Sequence, residues 1–152
     1  MFTGVKMLSK EELISFQYHK GIQLEAVKQN GFAIQYIHNP DKEIQLEAVK
    51  ENGHVLIYIY NPDKDVQLEA VKEDGQAIQY VYNPDKDVQM EAVKQNRYAI
   101  KYIHNPDREL CYIALGNCNN HNDLNDVIKN CNIEKYPEVY EYYVIKYTSL
   151  GE

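Results

Sequence analysis

Two hydrophobic schedules trade places four times along this chain. In the stretch from Asn39 to Gly53 the apolar residues Ile44, Leu46, Ala48 and Val49 spread over more than half a helix circumference, leaving Gln45, Glu47 and Lys50 for the wet side. This predicts a helix of about three turns pressed by neighbours on two sides. Asn39 is the expected N-cap, Pro40 suits the first helical position because it needs no amide donor, and Asp41 and Glu43 fall at the positive end of the dipole. Gly53 is expected to end the helix as a left-handed cap. The next segment, residues 54–60, has a different rhythm. Val55, Ile57 and Ile59 alternate as a strand would, so a helix-strand unit stays open. The apolar places common to all copies, 33/34, 36 and 37 in the first, have the spacing of a short helix, which is the expected form.

The pattern repeats every 22 residues without an insertion. Gln23, Gln45, Gln67 and Gln89 open the copies, and Asn-Pro pairs recur at 39–40, 61–62, 83–84 and 105–106. Fixed-period self-similarity of this kind predicts a solenoid whose units hide their apolar faces only by stacking. The expected fold is all-α: a right-handed αα-hairpin solenoid of four to five repeats with helical caps at both ends, forming one domain over residues 1–152. Residues 9–21 are the expected N-terminal cap helix, opening on a capping box of Ser9 and Glu12 and ending before Gly21. Residues 22–110 hold the four repeats. Residues 111–152 form the C-terminal cap, with helices around Asp123–Asn130 and from Pro137 to about Thr148. Val139, Tyr140, Tyr143, Val144 and Tyr147 lie at helical spacing in the last one, enough to seal the stack or to dock a second chain as a homodimer.

The string A-V-x-x-N-G-x-A-I-x-Y-I, read from Ala26 to Ile37 and again with small changes from Ala48, Ala70 and Ala92, resembles uncharacterised short helical repeats in bacterial, phage and giant-virus proteins. That resemblance covers residues 22–110 and implies no particular activity. The chain departs from the pattern at Asp74, where other units have asparagine, and at Arg97, where they have glycine. If residue 97 is left-handed, a side chain there costs about 1 kcal/mol, and Arg97→Gly should raise the melting temperature.

Comparison between copies separates scaffold from surface. Ala at 26, 48, 70 and 92, Val at 27, 49, 71 and 93, and Tyr at 36, 58, 80 and 102 never change, as stacking interfaces require. The tyrosines are expected to be buried, each hydroxyl finding one partner at the edge of the core, the alternative being an exposed ladder for stacking rings. Three columns vary: Phe32, His54, Gln76 and Tyr98; Gln35, Ile57, Gln79 and Lys101; His38, Tyr60, Tyr82 and His104. They lie at i, i+3 and i+6, so a single variable face is expected, repeated about every 10 Å along the stack as a protein-binding surface, the alternative being neutral drift at solvated positions.

Charge and thiol content narrow the chemistry. A formal charge of −7, with Lys and Arg beside Asp and Glu in every repeat, disfavours direct nucleic-acid binding. No long apolar run predicts a membrane span, and three cysteines, Cys111, Cys118 and Cys131, suggest reduced thiols in the cytoplasm. Cys118 and His121 have the spacing of a metal half-site, with Cys131 as a third ligand, but the second half is missing; no metal or cofactor is expected. His38 and His104 stand three layers apart and cannot share a substrate. With no phosphate loop or nucleophile elbow, no enzyme activity is expected.

Two functions of different class fit these residues. The first is a non-enzymatic protein-protein interaction module with a few aromatic anchors. The second is a phage-encoded inhibitor of a bacterial defence nuclease, in the manner of an anti-CRISPR, whose acidic surface fills the basic channel of a nucleic-acid-binding enzyme. Inhibition by charge should weaken steeply with salt, and an aromatic interface should not.

Overall fold

The computed structural model describes residues 9–12 and 19–150. Four near-identical layers fill its centre, each made of an α-helix followed by a 3₁₀-helix. The helices are α1 (Lys20–Gln29), α2 (Lys42–Glu51), α3 (Lys64–Glu73) and α4 (Lys86–Gln95); the 3₁₀ segments are η1 (Gly31–Tyr36), η2 (Gly53–Tyr58), η3 (Gly75–Tyr80) and η4 (Arg97–Tyr102). Successive α-helices pack side by side, and so do successive 3₁₀ segments, giving two parallel rows. α5 (Arg108–Gly116), α6 (His121–Ile128) and α7 (Pro137–Ser149) close the far end. There is no strand among the described residues, so the chain is an all-helical repeat solenoid. The second arm is tighter than an α-helix: its six residues are capped by the preceding Asn30, Asn52, Asp74 or Asn96, whose side chain accepts the amide two residues on.

The core is the stacking interface itself. Val27, Val49, Val71 and Val93 are wholly buried, as are Ala48, Ala70 and Ala92, and each 3₁₀ segment adds Ile34, Leu56, Ile78 or Ile100. These side chains form one cluster that runs through the stacked layers. That explains why the column admits almost no change of volume.

The turn between layers differs from the sequence expectation. Asn39, Asn61, Asn83 and Asn105 are not helix caps; they sit in the left-handed region, with φ between 47° and 56°. The proline after each is outside the helix, which starts two residues later than expected. Asp41 is the actual N-cap, its carboxylate accepting the Ile44 amide at 3.1 Å, and Asp107 does the same for Leu110 at 3.0 Å. Asparagine is the residue besides glycine that visits this conformation most readily. Asn61→Ala is therefore expected to cost about 1 kcal/mol while Asn61→Gly stays within about 0.5 kcal/mol of the native chain, read as the difference in chemical denaturation midpoints.

The invariant glutamine, assigned to the wet side, is half-buried and structural. Gln45, Gln67 and Gln89 each donate from Nε2 to the carbonyl of the proline five residues back, Pro40, Pro62 and Pro84, at 2.7–2.8 Å. This satisfies a carbonyl exposed by the turn and fixes the turn to its own helix.

A second ladder joins the helix starts. Lys20, Lys42, Lys64 and Lys86 each reach two carboxylates of the following layer, for example Lys20 to Asp41 at 2.9 Å and Glu43 at 2.5 Å, and Lys64 to Asp85 at 3.4 Å and Asp87 at 2.6 Å. Arg108 continues the column to Glu138 at 3.8 Å. Hydrogen bonds from these lysines hold Asp65 and Asp87 below the usual carboxylate range.

Glycine does not end the helices in a left-handed turn. None of Gly31, Gly53 and Gly75 has positive φ; each lies where a Cβ would strike the carbonyl oxygen of Ala48, Ala70 or Ala92 in the next helix, at 2.6, 2.4 and 2.3 Å. The amides of Gly53 and Gly75 donate to Glu73 Oε2 at 2.5 Å and Gln95 Oε1 at 2.7 Å. The glycine column is thus a contact between layers.

At the N-terminus, Ser9 and Glu12 form the expected capping box, with Ser9 N donating to Glu12 Oε2 at 2.7 Å and Glu12 N to Ser9 Oγ at 3.2 Å. Residues 13–18 of the expected cap helix lie outside the described residues. Gly21 does not end that helix, because it lies inside α1, which His19 precedes as N-cap. At the other end, Val139 of α7 is fully buried and Tyr143 half-buried, with the Tyr143 hydroxyl on Asn125 Oδ1 at 2.7 Å. Tyr140, Val144 and Tyr147 face outward.

Candidate functional site

After each 3₁₀ segment the backbone becomes extended, with φ near −96° and ψ near 117° at Ile37. The apolar residue there turns in, so the next side chain must turn out. Tyr60 and Tyr82 are consequently 98% and 99% exposed. Between them lies a hollow of about 510 Å³, lined also by Tyr58, Tyr80, Ile59, Val81 and Pro62. A similar one of about 450 Å³ lies one layer earlier, between His38 and Tyr60. The second and third layers thus present adjoining slots with aromatic walls.

The three variable columns do not share one open face. Gln35, Ile57, Gln79 and Lys101 are exposed, as are His38, Tyr60, Tyr82 and His104. The first column instead leans on the next layer. The Phe32 ring meets the edge of Tyr58 at 6.3 Å between centroids, and His54 meets Tyr80 at 5.8 Å. His54 Nε2 also pairs with Asp74 Oδ2 at 2.5 Å, which gives the departure at Asp74 its partner, since only this layer has a histidine facing residue 74. Gln76 is half-buried, and Tyr98 donates its hydroxyl to Asp123. A 3₁₀ turn eclipses i and i+3 near the backbone, as the bond from Gln35 Nε2 to the Phe32 carbonyl shows, but the first residue of the segment faces the adjoining layer.

The constant tyrosines complete the slots. Tyr36 and Tyr58 are exposed and Tyr80 and Tyr102 half-buried, so they are not core residues. Tyr58 and Tyr80 each meet an edge contact from the preceding layer with the other side left wet, a position suited to an amphipathic ring.

Arg97 has its own role. It is not left-handed, and its guanidinium pairs with Asp123 Oδ2 at 2.6 Å while lying 4.6 Å over the Tyr98 ring. Asp123 is buried at the start of α6; the Tyr98 hydroxyl and then Arg97 hold its carboxyl below the ordinary range. Asn120 supplies a further bond from Nδ2 at 2.9 Å. Ala114, the counterpart of Ala48, Ala70 and Ala92, accepts from the Cys118 thiol at 3.3 Å.

Cys118, His121 and Cys131 take separate partners. Burial pushes the Cys118 thiol up to about 11. His121 Nε2 contacts the Tyr147 carbonyl at 2.8 Å, and its ring lies on the Tyr147 ring. Cys131 lies against Cys111, which holds the Cys131 thiol protonated, with burial adding to the effect, and Cys111 shifts downward in turn. No group of three or more His, Cys, Asp or Glu side chains arranged for a metal ion occurs among the described residues, and no described helix is long and apolar enough to cross a membrane.

Stacked, interchangeable layers with side chains projecting from one flank define a helical-repeat scaffold. The chain belongs to the family of the domain of unknown function DUF4116, whose model matches residues 19–62 and again 63–106, two layers at a time. No curated protein and no solved structure matches the chain.

Proposed function

We propose that this protein is a non-enzymatic binding scaffold that grips a protein partner through the aromatic slots of its second and third layers. The observation that carries this is the near-complete exposure of Tyr60 and Tyr82 on either side of an apolar floor. Neither ring contributes appreciably to folding, whereas exposed tyrosines beside a rigid slot supply large contact area at low entropic cost on binding. Ile57, 57% exposed, widens the apolar strip. Net charge of −7 would speed encounter with a basic partner, in a reducing cytoplasm that keeps the three thiols free.

Tyr60→Ala combined with Tyr82→Ala should leave the melting temperature within about 2 °C of the native value. Quantitative affinity capture from the native host should show one or more proteins held by the native chain and lost by this variant, with retention largely insensitive to salt. Identical captured sets from both chains would refute the assignment.

A further inference from the structure

At the junction of the fourth layer and the C-terminal cap, three cationic or basic side chains surround one hollow of about 590 Å³: Lys101, His104 and Lys129. Asn105, Asn132 and half-buried Tyr102 also line it, and no carboxylate among the described residues does. That is unusual on a chain of net charge −7, whose ladder lysines Lys20, Lys42, Lys64 and Lys86 each sit between two carboxylates. Two variable columns change together here. Residue 101 is lysine where the earlier layers have Gln35, Ile57 and Gln79, and residue 104 is histidine where the two preceding layers have Tyr60 and Tyr82. Packing does not require either change, since both side chains are exposed. Lys101 Nζ rests 4.6 Å from the centroid of the Tyr102 ring, at the wall of the hollow. Lys129 gives one N–H to Asp126 at 2.9 Å, a residue of the adjoining depression, and an ammonium has two more to offer.

We propose that this hollow binds a small molecule bearing an oxyanion, phosphoryl or carboxylate. The two ammonium groups meet its charge, and the His104 ring N–H and the asparagine amides donate to its oxygens. The site is separate from the tyrosine slots, so the Tyr60→Ala, Tyr82→Ala chain should bind the same anions as the native one, and each assignment stands or falls alone.

The test is an amide-resolved NMR titration of the full chain with pyrophosphate and, separately, with citrate, against sodium chloride at matched ionic strength. Saturable shifts confined to residues 101–106 and 129–132 are expected with at least one anion, and which one saturates assigns the phosphoryl or the carboxylate class. Lys101→Gln with Lys129→Gln should weaken that binding roughly tenfold or more, and Lys101→Gln alone should weaken it measurably, with spectra otherwise native. Shifts that rise linearly, that sodium chloride reproduces, that spread along the Lys20–Lys86 ladder, or that survive loss of both lysines would overturn the site.

Discussion

Gly75→Ala is expected to lower the melting temperature by about 6–12 °C, corresponding to a loss of roughly 3 kcal/mol in a chain of this size. The added Cβ would stand 2.3 Å from the Ala92 carbonyl oxygen, 2.9 Å from Gln95 Oε1 and 3.0 Å from the Asn96 Cβ. A side-chain amide can move aside, but a backbone carbonyl inside α4 moves only with its helix. Relief therefore means separating two layers, which opens the contacts of Val71, Ala92 and Val93 as well. Gly21→Ala is the control. No atom of the described residues lies within 4 Å of its Cβ position, and in the first turn of α1 alanine should be neutral or stabilise by up to about 1 kcal/mol. Thermal unfolding followed by circular dichroism separates the two, and a Gly75→Ala chain within about 2 °C of native would mean the layers do not approach as described.

Arg97→Gly is the second large effect and runs opposite to the sequence expectation of a gain. With residue 97 outside the left-handed region there is no strain for glycine to relieve. The substitution removes the guanidinium from Asp123 and leaves a buried carboxylate with the Tyr98 hydroxyl and Asn120 as its remaining side-chain partners. Breaking a largely buried pair from one side costs about 2–4 kcal/mol. The pH dependence fixes the cause. The folded-state value of Asp123 is depressed, so its stabilisation is complete above the unfolded value of about 3.9 and disappears as pH falls through the lower folded value. The gap in melting temperature between the native and Arg97→Gly chains should be widest near neutrality and narrow in acid. A gap unchanged in acid would assign the loss to something other than this carboxylate.

The periodicity of Gln23, Gln45, Gln67 and Gln89 was enough to expose the layered architecture, because a stack must solve the same packing problem at each step. It also marked Ala48, Val49 and their counterparts as core. What escaped were the contacts made to backbone carbonyls. Gly53 looks the same in sequence whether it serves backbone conformation or makes room for the Ala70 carbonyl. Gln45 looks like a surface residue until the turn brings Pro40's carbonyl beneath it. On the candidate face, Tyr60 and Tyr82 were legible because large rings accumulate in a variable column. His54 turns toward the next layer instead, because three-residue spacing says nothing about which side the neighbouring layer occupies. The walls formed by Tyr58 and Tyr80 were hidden by their constancy, which a buried residue would also show. Lys129 comes to Lys101 only through the path of the cap.

The end of the stack is written into particular substitutions. Arg97 occupies the glycine column and Cys111 the glutamine column, so the surface that receives the cap differs from those between interior layers. A gene duplication or unequal crossover that adds 22 codons upstream of Arg97 would insert another layer and another aromatic slot while leaving the terminus intact. The same event across residues 97–111 would place a terminator mid-rod. Chain length in this lineage should accordingly drift in whole modules.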